Sequence, residues 1–457
     1  MPAISSPSLD GNIVYPGDPG YDHDRQDFDN LYPAFPQLIV YAASVADVAW
    51  AIQYAQTQQL AFAVRSGGHS TAGYSVCDGL VLDLSKLHAV DIDLSAQTAR
   101  VGTGCNFERL NLLLEAQGLH VPGGGCPTVA VAGYMMGGGY GFTSRTFGMN
   151  CDNVLAVSVM LADCTVVTAD ADTHPDLFWA IRGGTGGNFG VLLDITYRVY
   201  PLGDIRGIQL QWPLDTQLTN AAQAMYVVQQ AYLIDAQHPE LGIEYAAGTD
   251  LKDGIKKLSF CATYTGDPTQ LNSVLAPLLA VPGYTITRQP SGRYSQVNRQ
   301  LLSNVDGDLP PGIMAFSRSA YVERLLQPAD YQAILQYFVD TAPNQYTTLG
   351  IECYGGVINQ VPTDAMAFRH RSVLFDLFAD AFFDSSTADR PRNRAWITEF
   401  FTFLRAYGNG HSYQNYPDRA QADFRWAYWG DAYPRLQTIK STYDPDQFFN
   451  YQQAICG

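Results

Sequence analysis

Four glycine-rich segments follow one another between residues 65 and 190: RSGGHS from Arg65, GGGCPT from Gly123, AGYMMGGGYG from Ala132 and RGGTGGNFG from Arg182. Glycine loses more conformational freedom on folding than any other residue, so dense glycine is costly unless the backbone needs it. Each segment alone is explained by a tight turn. Their succession indicates instead that the backbone approaches another group closely, as a phosphate-binding turn does.

Secondary-structure signals around these segments are of the α+β type, without regular βαβ units. Ser44 followed by Asp47 has the arrangement of a helix N-cap with an acid in the first turn. The predicted elements are a helix at 44–60, strands at 62–64, 81–84 and 98–102, a helix at 107–116 and a β-rich stretch at 154–169.

The composition changes after Pro201, where glycine thins out and Tyr, Gln and Leu dominate. Apolar strands there alternate with long helical stretches, which predicts a second domain. The residues from about 411 onward are again rich in Tyr and Asn. We therefore predict domain boundaries near residues 202 and 410.

Charge and hydropathy exclude several classes of partner. The chain of 457 residues has 27 Lys and Arg against 44 Asp and Glu, a net charge of −17, which repels nucleic acids. No apolar run reaches the roughly 18 residues of a membrane span. The N-terminus lacks the basic and apolar regions of a secretory signal, so we expect a cytoplasmic protein or one whose signal has been removed.

Several common catalytic motifs are missing from the sequence. GxGxxG, GxxxxGK[ST] and GxSxG do not occur, which argues against a Rossmann dinucleotide site, a P-loop and an α/β-hydrolase. The eight cysteines include no CxxC pair. His23, between Asp22 and Asp24, has the residue types of a metal site, but a solvated turn is the simpler interpretation, and no metal is predicted.

The order VRSGGHS, PGGGCPT, GGGYG, DNV and RGGTGGNFG closely resembles the FAD-linked oxidases of the vanillyl-alcohol oxidase superfamily, in their berberine-bridge-enzyme-like branch. The resemblance covers about residues 36–200 and two C-terminal motifs, NYPD and YDPDQFF. It implies an FAD-binding domain at 1–202, an antiparallel-sheet substrate domain with helices at 203–410, and a segment at 411–457 that returns to the FAD domain. A monomer is expected.

The resemblance implies a covalent FAD. His69 matches the histidine bonded to the 8α-methyl of the flavin, and Cys126 matches the cysteine bonded to carbon 6. The 6-hydroxynicotine oxidase branch keeps only the histidine, so Cys126 argues against a close relation to it. The other implied FAD contacts are Arg65, Ser66, Gly67, Gly68, Ser70, Gly125, Thr128, Val131, Gly133, Tyr134, Gly138, Gly141, Asn153, Asn188 and Gly190. The strand and turn at 64–70 are expected to hold the pyrophosphate.

Catalysis is expected from the second domain and the C-terminal segment. Glu352, in GIECYGG, matches an acid that lies near the reacting carbon, although an ordinary strand with a GG turn looks similar. In the resembling oxidases a tyrosine of the YQNY segment is the base. On a strand, Tyr413 and Asn415 would share one face and Tyr416 the other. We favour Tyr416 as the base and keep Tyr413 as the alternative.

The implied reaction transfers a hydride from an alcohol carbon to flavin N5 and returns the electrons to O2 as H2O2. Our first choice of substrate is the anomeric carbon of a mono- or oligosaccharide, which gives a lactone. The alternative substrates are an allylic or benzylic alcohol or a ring-bearing natural product. The alternative to an enzyme is a flavin-binding protein with little turnover. Tyr134 stands at a position where the family often has His. Monolignol-type members also have Tyr at this position, so the substrate class stays open. The small Val131 and Ala132 favour access of O2.

Overall fold

The computed structural model describes residues 9–28, 31–234, 237–302, 313–384 and 389–457. Residues 1–8, part of the argument about a secretory signal, lie outside this set. The α+β class is confirmed. The helices are α1 Tyr21–Asp24, α2 Val45–Gln58, α3 Phe107–Glu115, α4 Val131–Met136, α5 Ser144–Phe147, α6 Pro175–Ile181, α7 Leu218–Val228, α8 Leu271–Val274, α9 Ala276–Leu279, α10 Tyr294–Leu302, α11 Pro328–Thr341, α12 Asp389–Leu404, α13 Phe424–Trp429 and α14 Tyr433–Tyr443. Within the described ranges, no helix is long and apolar enough to cross a bilayer.

The first sheet carries the RSGGHS segment at the end of one strand. Its strands are β1 Asn12–Val14, β2 Leu38–Tyr41, β3 Phe62–Arg65 and β4 Leu80–Asp83, in the order β1-β2-β4-β3. Strand β4 is parallel to both neighbours, and β1 is antiparallel to β2. Helix α2 begins with a capping box in which Ser44 accepts from the Asp47 N–H, as the sequence predicts.

The second sheet is antiparallel and supports the other glycine-rich segments. Its strands are β5 Val90–Asp93, β6 Thr98–Gly102, β8 Val154–Met160, β9 Val166–Asp170 and β10 Val191–Arg198, in the order β5-β6-β10-β8-β9. A short pair, β7 Leu119–His120 with β11 Tyr200–Pro201, lies beside it. The segment GGGCPT follows β7, and RGGTGGNFG joins α6 to β10. The predicted strand at 98–102 and helix at 107–116 are confirmed.

The third sheet is antiparallel and uses only residues beyond 202. Its strands are β12 Ile205–Pro213, β13 Leu241–Thr249, β14 Lys256–Tyr264, β15 Thr285–Arg288, β16 Ser291–Gly292, β17 Met314–Val322, β18 Thr348–Cys353 and β19 Phe375–Phe383, in the order β15-β12-β14-β13-β18-β19-β17 with β16 beside β12. Residues of one face form a core with helices α7, α11 and α12. The opposite face meets the GGGYG segment, where the Tyr140 hydroxyl donates to the carbonyls of Ile243 and Cys353.

The C-terminal segment packs into the core beside the second sheet. Tyr413, Trp429 and Ile439 share one cluster of buried side chains with Val157 and Phe178. The buried Lys440 ammonium donates to Asp444 Oδ2 and to the carbonyl of Asn188, which lies in the fourth glycine-rich segment. Helix α14 is thereby tied to the loop that precedes β10.

Candidate active site

A cavity of about 430 Å³ lies at the RSGGHS turn. Gly67 and Gly68 line it, and a Cβ on Gly67 would lie 2.7 Å from the backbone N of Ala130, so this turn requires glycine. Arg65 also lines the cavity, but its guanidinium is buried and forms a 2.6 Å ion pair with Asp83. The charge predicted for a phosphate is therefore largely balanced inside the protein.

His69 and Cys126 meet at one hydroxyl group. The Nε2 atom of His69 lies 2.9 Å from Thr128 Oγ1, and Cys126 Sγ lies 3.2 Å from the same oxygen. The Phe28 ring stacks on His69 with centroids 4.7 Å apart. Burial lowers the pKa of His69 to about 4, so its imidazole is neutral near pH 7 and has a lone pair for bonding. The structure thus brings together the two residues predicted to bind the flavin covalently.

Gly133 provides a test of whether this region fits a flat cofactor. It lies in α4 between the buried Val131 and Met135, yet it is itself exposed, and a Cβ added to it would meet no atom within 4 Å. Open space beside a glycine, close to Cys126 in sequence, is what a cofactor ring needs. The residues present fit FAD at this position.

Other glycines of the cluster make room for protein groups. A Cβ on Gly139 would lie 2.5 Å from the Tyr134 ring, and one on Gly138 would lie 2.6 Å from Phe368. A Cβ on Gly141 would lie 1.9 Å from the carbonyl oxygen of Gly123. The Tyr134 hydroxyl donates to the carbonyl of Tyr140. Part of the glycine density that predicted a bound group therefore serves internal packing.

The remaining predicted cofactor residues hold the loops in place. The hydroxyl of Ser66 donates to the Thr103 carbonyl, Ser70 Oγ accepts from Tyr74 N, and Gly125 O accepts from Asn298.

The two predicted asparagines also bind protein groups. The Asn153 amide donates to the carbonyls of Phe147 and Met149. The Asn188 amide forms hydrogen bonds with Gly184 O, Tyr451 OH and Ile455 N. A Cβ on Gly190 would meet Val159 at 2.6 Å. Direct contact of these side chains with FAD stays a prediction.

Tyr416 and Glu352 form the shortest contact of the predicted catalytic set. The Tyr416 hydroxyl donates to Glu352 Oε1 at 2.6 Å. Glu352 is the next-to-last residue of strand β18, where the sheet leaves it only 6% exposed. Burial raises the pKa of Glu352 to about 8, and the hydrogen bond from Tyr416 opposes that increase.

The YQNY segment is a turn, and the predicted strand is wrong. The Tyr416 N–H donates to the Tyr413 carbonyl at 3.0 Å, so the chain reverses between them. Their rings consequently lie together, with centroids 5.1 Å apart, instead of on opposite faces. The Pro after Tyr416 and the hydrogen bonds of Asn415 to Tyr134 O and Tyr413 OH favour this turn over an extended strand.

The two tyrosines have opposite hydrogen-bonding roles. Tyr413 OH accepts from the backbone N–H groups of Gly139 and Tyr140, at 2.9 and 3.1 Å, and from the Asn415 amide. Burial, followed by the nearby Glu352 charge, raises the pKa of Tyr416 well above its ordinary value. Tyr416 is therefore suited to pass a proton on to Glu352, because a lasting phenolate is disfavoured there.

Comparison with known proteins identifies the family of the chain. Residues 36–170 match the family described as "FAD binding domain", and residues 412–456 match "Berberine and berberine like". The FAD-linked oxidoreductase YvdP of Bacillus subtilis is 30% identical, over 99% of both chains. The xylooligosaccharide oxidase of Thermothelomyces thermophilus is 27% identical, over 94% of this chain and 89% of its own. The BBE-like 1 structure from Physcomitrella patens has a TM-score of 0.88 and 28% identity, covering 98% of this chain and 97% of its own.

The chain belongs to the berberine-bridge-enzyme-like FAD-linked oxidoreductases. Like other members of this family, it is an FAD-dependent enzyme. The resemblance drawn from the glycine-rich segments is confirmed.

Two acidic residues beside the site were absent from the prediction: Asp376 and Glu244. Asp376 and Asp380 interrupt the apolar run FDLFADAFF at a spacing of four, which places both on one face of a strand. Glu244 is a single acid within the otherwise apolar or small residues of the strand LGIEYAAGT. Acids inside apolar strands were the signal in the sequence for a polar face of this sheet.

Proposed function

We propose that this enzyme oxidises an alcohol carbon, with FAD held covalently by His69 and Cys126 and with O2 as the electron acceptor. The observation that carries the proposal is the 2.6 Å hydrogen bond from Tyr416 to the buried Glu352. A base within reach of the substrate hydroxyl is what hydride removal from an alcohol requires, because the carbonyl forms only as the proton leaves.

In the proposed reaction, Tyr416 takes the hydroxyl proton while its own proton moves to Glu352 Oε1. The 2.6 Å separation allows this transfer without movement of either side chain. Tyr413 orients the turn, since its hydroxyl is bound to the Gly139 and Tyr140 N–H groups. When bound, FAD would supply the hydride acceptor, and His69 and Cys126 would hold it.

The sheet face next to Glu352 supports a polyhydroxylated substrate. Half-buried polar side chains there lie beside the small, half-buried Ala246: its register partner Ser259 accepts at Oγ from Gln211 Nε2 at 3.0 Å. The small side chain of Ala246 leaves space over the sheet, and neighbouring hydroxyl and amide groups bind sugar hydroxyls. The relatives of this chain include a xylooligosaccharide oxidase and a carbohydrate oxidase. We therefore place the anomeric carbon of a mono- or oligosaccharide first, with a lactone as product.

The test is a screen for H2O2 release by the purified protein with mono- and oligosaccharides and with allylic and benzylic alcohols. Sugar-dependent H2O2 and lactone formation are expected. Release with aryl alcohols alone would overturn the substrate class. Flavin reduction by sugar under nitrogen with no reoxidation by O2 would instead identify a dehydrogenase, and no reduction by any alcohol would indicate a flavin-binding protein.

A further inference from the structure

Three acidic residues form one row across the third sheet. Glu244 on β13 is the register partner of Glu352 on β18, and Glu352 is the partner of Asp376 on β19. Register partners project to the same face of a sheet, with Cβ atoms about 4.5–5.5 Å apart. Glu352 therefore has a carboxyl neighbour on each side, and only Glu352 is used by the proposed reaction.

Asp376 is the most deeply buried member of the row. It is 0% exposed, and among the described residues its carboxyl oxygens have no well-formed hydrogen bond, although the Ser319 hydroxyl faces them. Glu352 has the same deficit at one atom, since Oε1 accepts from Tyr416 while Oε2 is buried with no partner in the described ranges. Two unsatisfied carboxyl groups on adjacent strands satisfy each other if one of them carries a proton.

The groups that face Asp376 offer no positive charge. They are Glu352 from β18, Tyr321 and Ser319 from β17, Tyr354 after β18, and Tyr416 from the YQNY turn. None of the ion pairs in the described part of the chain includes Asp376. Burial raises the pKa of Asp376 well above its ordinary value, the charge of Glu352 adds to this, and Ser319 lowers it. A neutral Asp376 follows from these surroundings.

We propose that Asp376 is a positioning residue, a neutral acid that donates a hydrogen bond to Glu352 Oε2 and so keeps Glu352 ionised and ready to receive the Tyr416 proton. The inference rests on the proposed pairing of Tyr416 with Glu352. Before the reaction the two carboxyl groups share one proton. The substrate O–H bond then breaks and an O–H bond forms at Glu352, so the pair holds two. O2 accepts the two electrons and the hydrogen that left the substrate carbon as hydride, together with the one extra proton of the carboxyl pair, so that H2O2 forms and the pair again holds one proton.

The test is the pH dependence of anaerobic flavin reduction in the holoenzyme, measured by stopped flow. On the acidic limb of this pH profile, the rate falls as the pH drops below the pKa of Glu352, because only the carboxylate accepts a proton. Asp376→Leu removes the donor at similar size, so this limb is expected to move to higher pH by about one unit, the size of a lost hydrogen bond to a charged group. Asp376→Asn retains an N–H donor and is expected to keep the limb close to its wild-type position.

A matched control is Asp380→Asn on the same face of β19. Asp380 raises the pKa of Glu352 as an ionised neighbour does, so its loss should move the limb to lower pH, opposite to Asp376→Leu. If Asp376→Leu and Asp376→Asn both moved the limb downward, Asp376 would be ionised at rest and the inference would be wrong. An unmoved limb with a lower free energy of unfolding would reduce Asp376 to a structural residue.

A spectroscopic measurement covers the case in which Asp376→Leu fails to fold. The infrared difference spectrum of the wild-type holoenzyme minus the isosteric Asp376→Asn variant should contain the carbonyl band of a neutral carboxylic acid at the pH of turnover, and its absence would overturn the inference. Tyr416→Phe and Glu352→Gln distinguish a failure of the proposed function from a failure of the role of Asp376. If both variants reduce the flavin at wild-type rates, the proposed function fails. If they do not, but Asp376→Leu leaves the limb unmoved, only the role of Asp376 fails.

Discussion

The two regions that meet at the site work by different means. His69 and Cys126 share the Thr128 hydroxyl beside a glycine turn, and the Arg65 guanidinium, which lines the same cavity as His69, is paired with Asp83. On the other side of the site, the third sheet presents the buried carboxyl groups of Glu352 and Asp376, which have few hydrogen-bond partners among the described residues. A cofactor held by covalent bonds needs space and backbone contacts more than charge, whereas proton transfer needs ionisable groups whose pKa values burial has moved.

One tetrapeptide connects these regions. Tyr413 is bound to the N–H groups of Gly139 and Tyr140 on the glycine-rich side, while Tyr416, three residues later, is bound to Glu352 on the sheet side. The comparison therefore predicts that changes on the sheet side alter proton transfer, whereas changes on the glycine-rich side alter stability or flavin attachment.

The largest effect is expected from Tyr416→Phe, which should slow anaerobic flavin reduction by about 10²–10⁴-fold through loss of the base. Glu352→Gln should slow it as well, and the double variant should be little worse than either single variant, because the two residues act as a unit. Stopped-flow reduction with flavin content as the control measures this. A larger loss in Tyr413→Phe than in Tyr416→Phe would exchange the two roles.

A large loss of stability is expected from Lys440→Met in the C-terminal segment. Both charges of the Lys440–Asp444 pair are 1% exposed, so removal of the lysine leaves a buried carboxylate and should lower the free energy of unfolding by about 3–5 kcal/mol. Chemical denaturation measures the change. Arg100→Met is the control, since the exposed Arg100–Asp194 pair should cost no more than about 1 kcal/mol. Equal losses would contradict the importance of burial.

Two glycines distinguish packing from cofactor space. Gly139→Ala puts a Cβ 2.5 Å from the Tyr134 ring at a φ of +81°, so the protein should lose about 1–3 kcal/mol of stability. Gly133→Ala meets no protein atom and lies in a helix, so stability should hold while flavin content falls. Unfolding curves and the ratio of flavin to protein absorbance measure both effects. Unchanged flavin content in Gly133→Ala would place the cofactor elsewhere.

The smallest effect is expected from Thr128→Val, which removes the hydroxyl shared by His69 and Cys126. The loss of one hydrogen bond, about 0.5–1.5 kcal/mol, should slow covalent attachment by about 2- to 10-fold. Intact-mass spectrometry and peptide mapping during flavin loading follow the attachment, and wild-type protein should carry FAD on both residues. Thr71→Val is the matched control, because Thr71 lies two residues after His69 and its buried hydroxyl has no hydrogen-bond partner among the described residues. Equal rates in the two variants would show that the shared hydroxyl is incidental.

Several features could be predicted from local sequence because their causes are local. The capping box at Ser44 and the strand at 98–102 follow from short-range sterics and hydrogen bonds. The YQNY segment was wrong as a strand because tyrosine favours strands, and the contacts that impose the turn come from Tyr134 and Ser319, far along the chain.

By itself, the sequence determined the family, the α+β class, and His69, Cys126, Glu352 and the YQNY segment as residues to test, since each lies in a recognisable motif. Only the tertiary structure decided which tyrosine reaches Glu352, which glycines clear side chains instead of a cofactor, and that Asp376 lies beside Glu352. These depend on strand register and on chain reversal, which bring together residues 24 to 64 positions apart. No short motif encodes such distances, because burial and pairing are properties of the whole sheet.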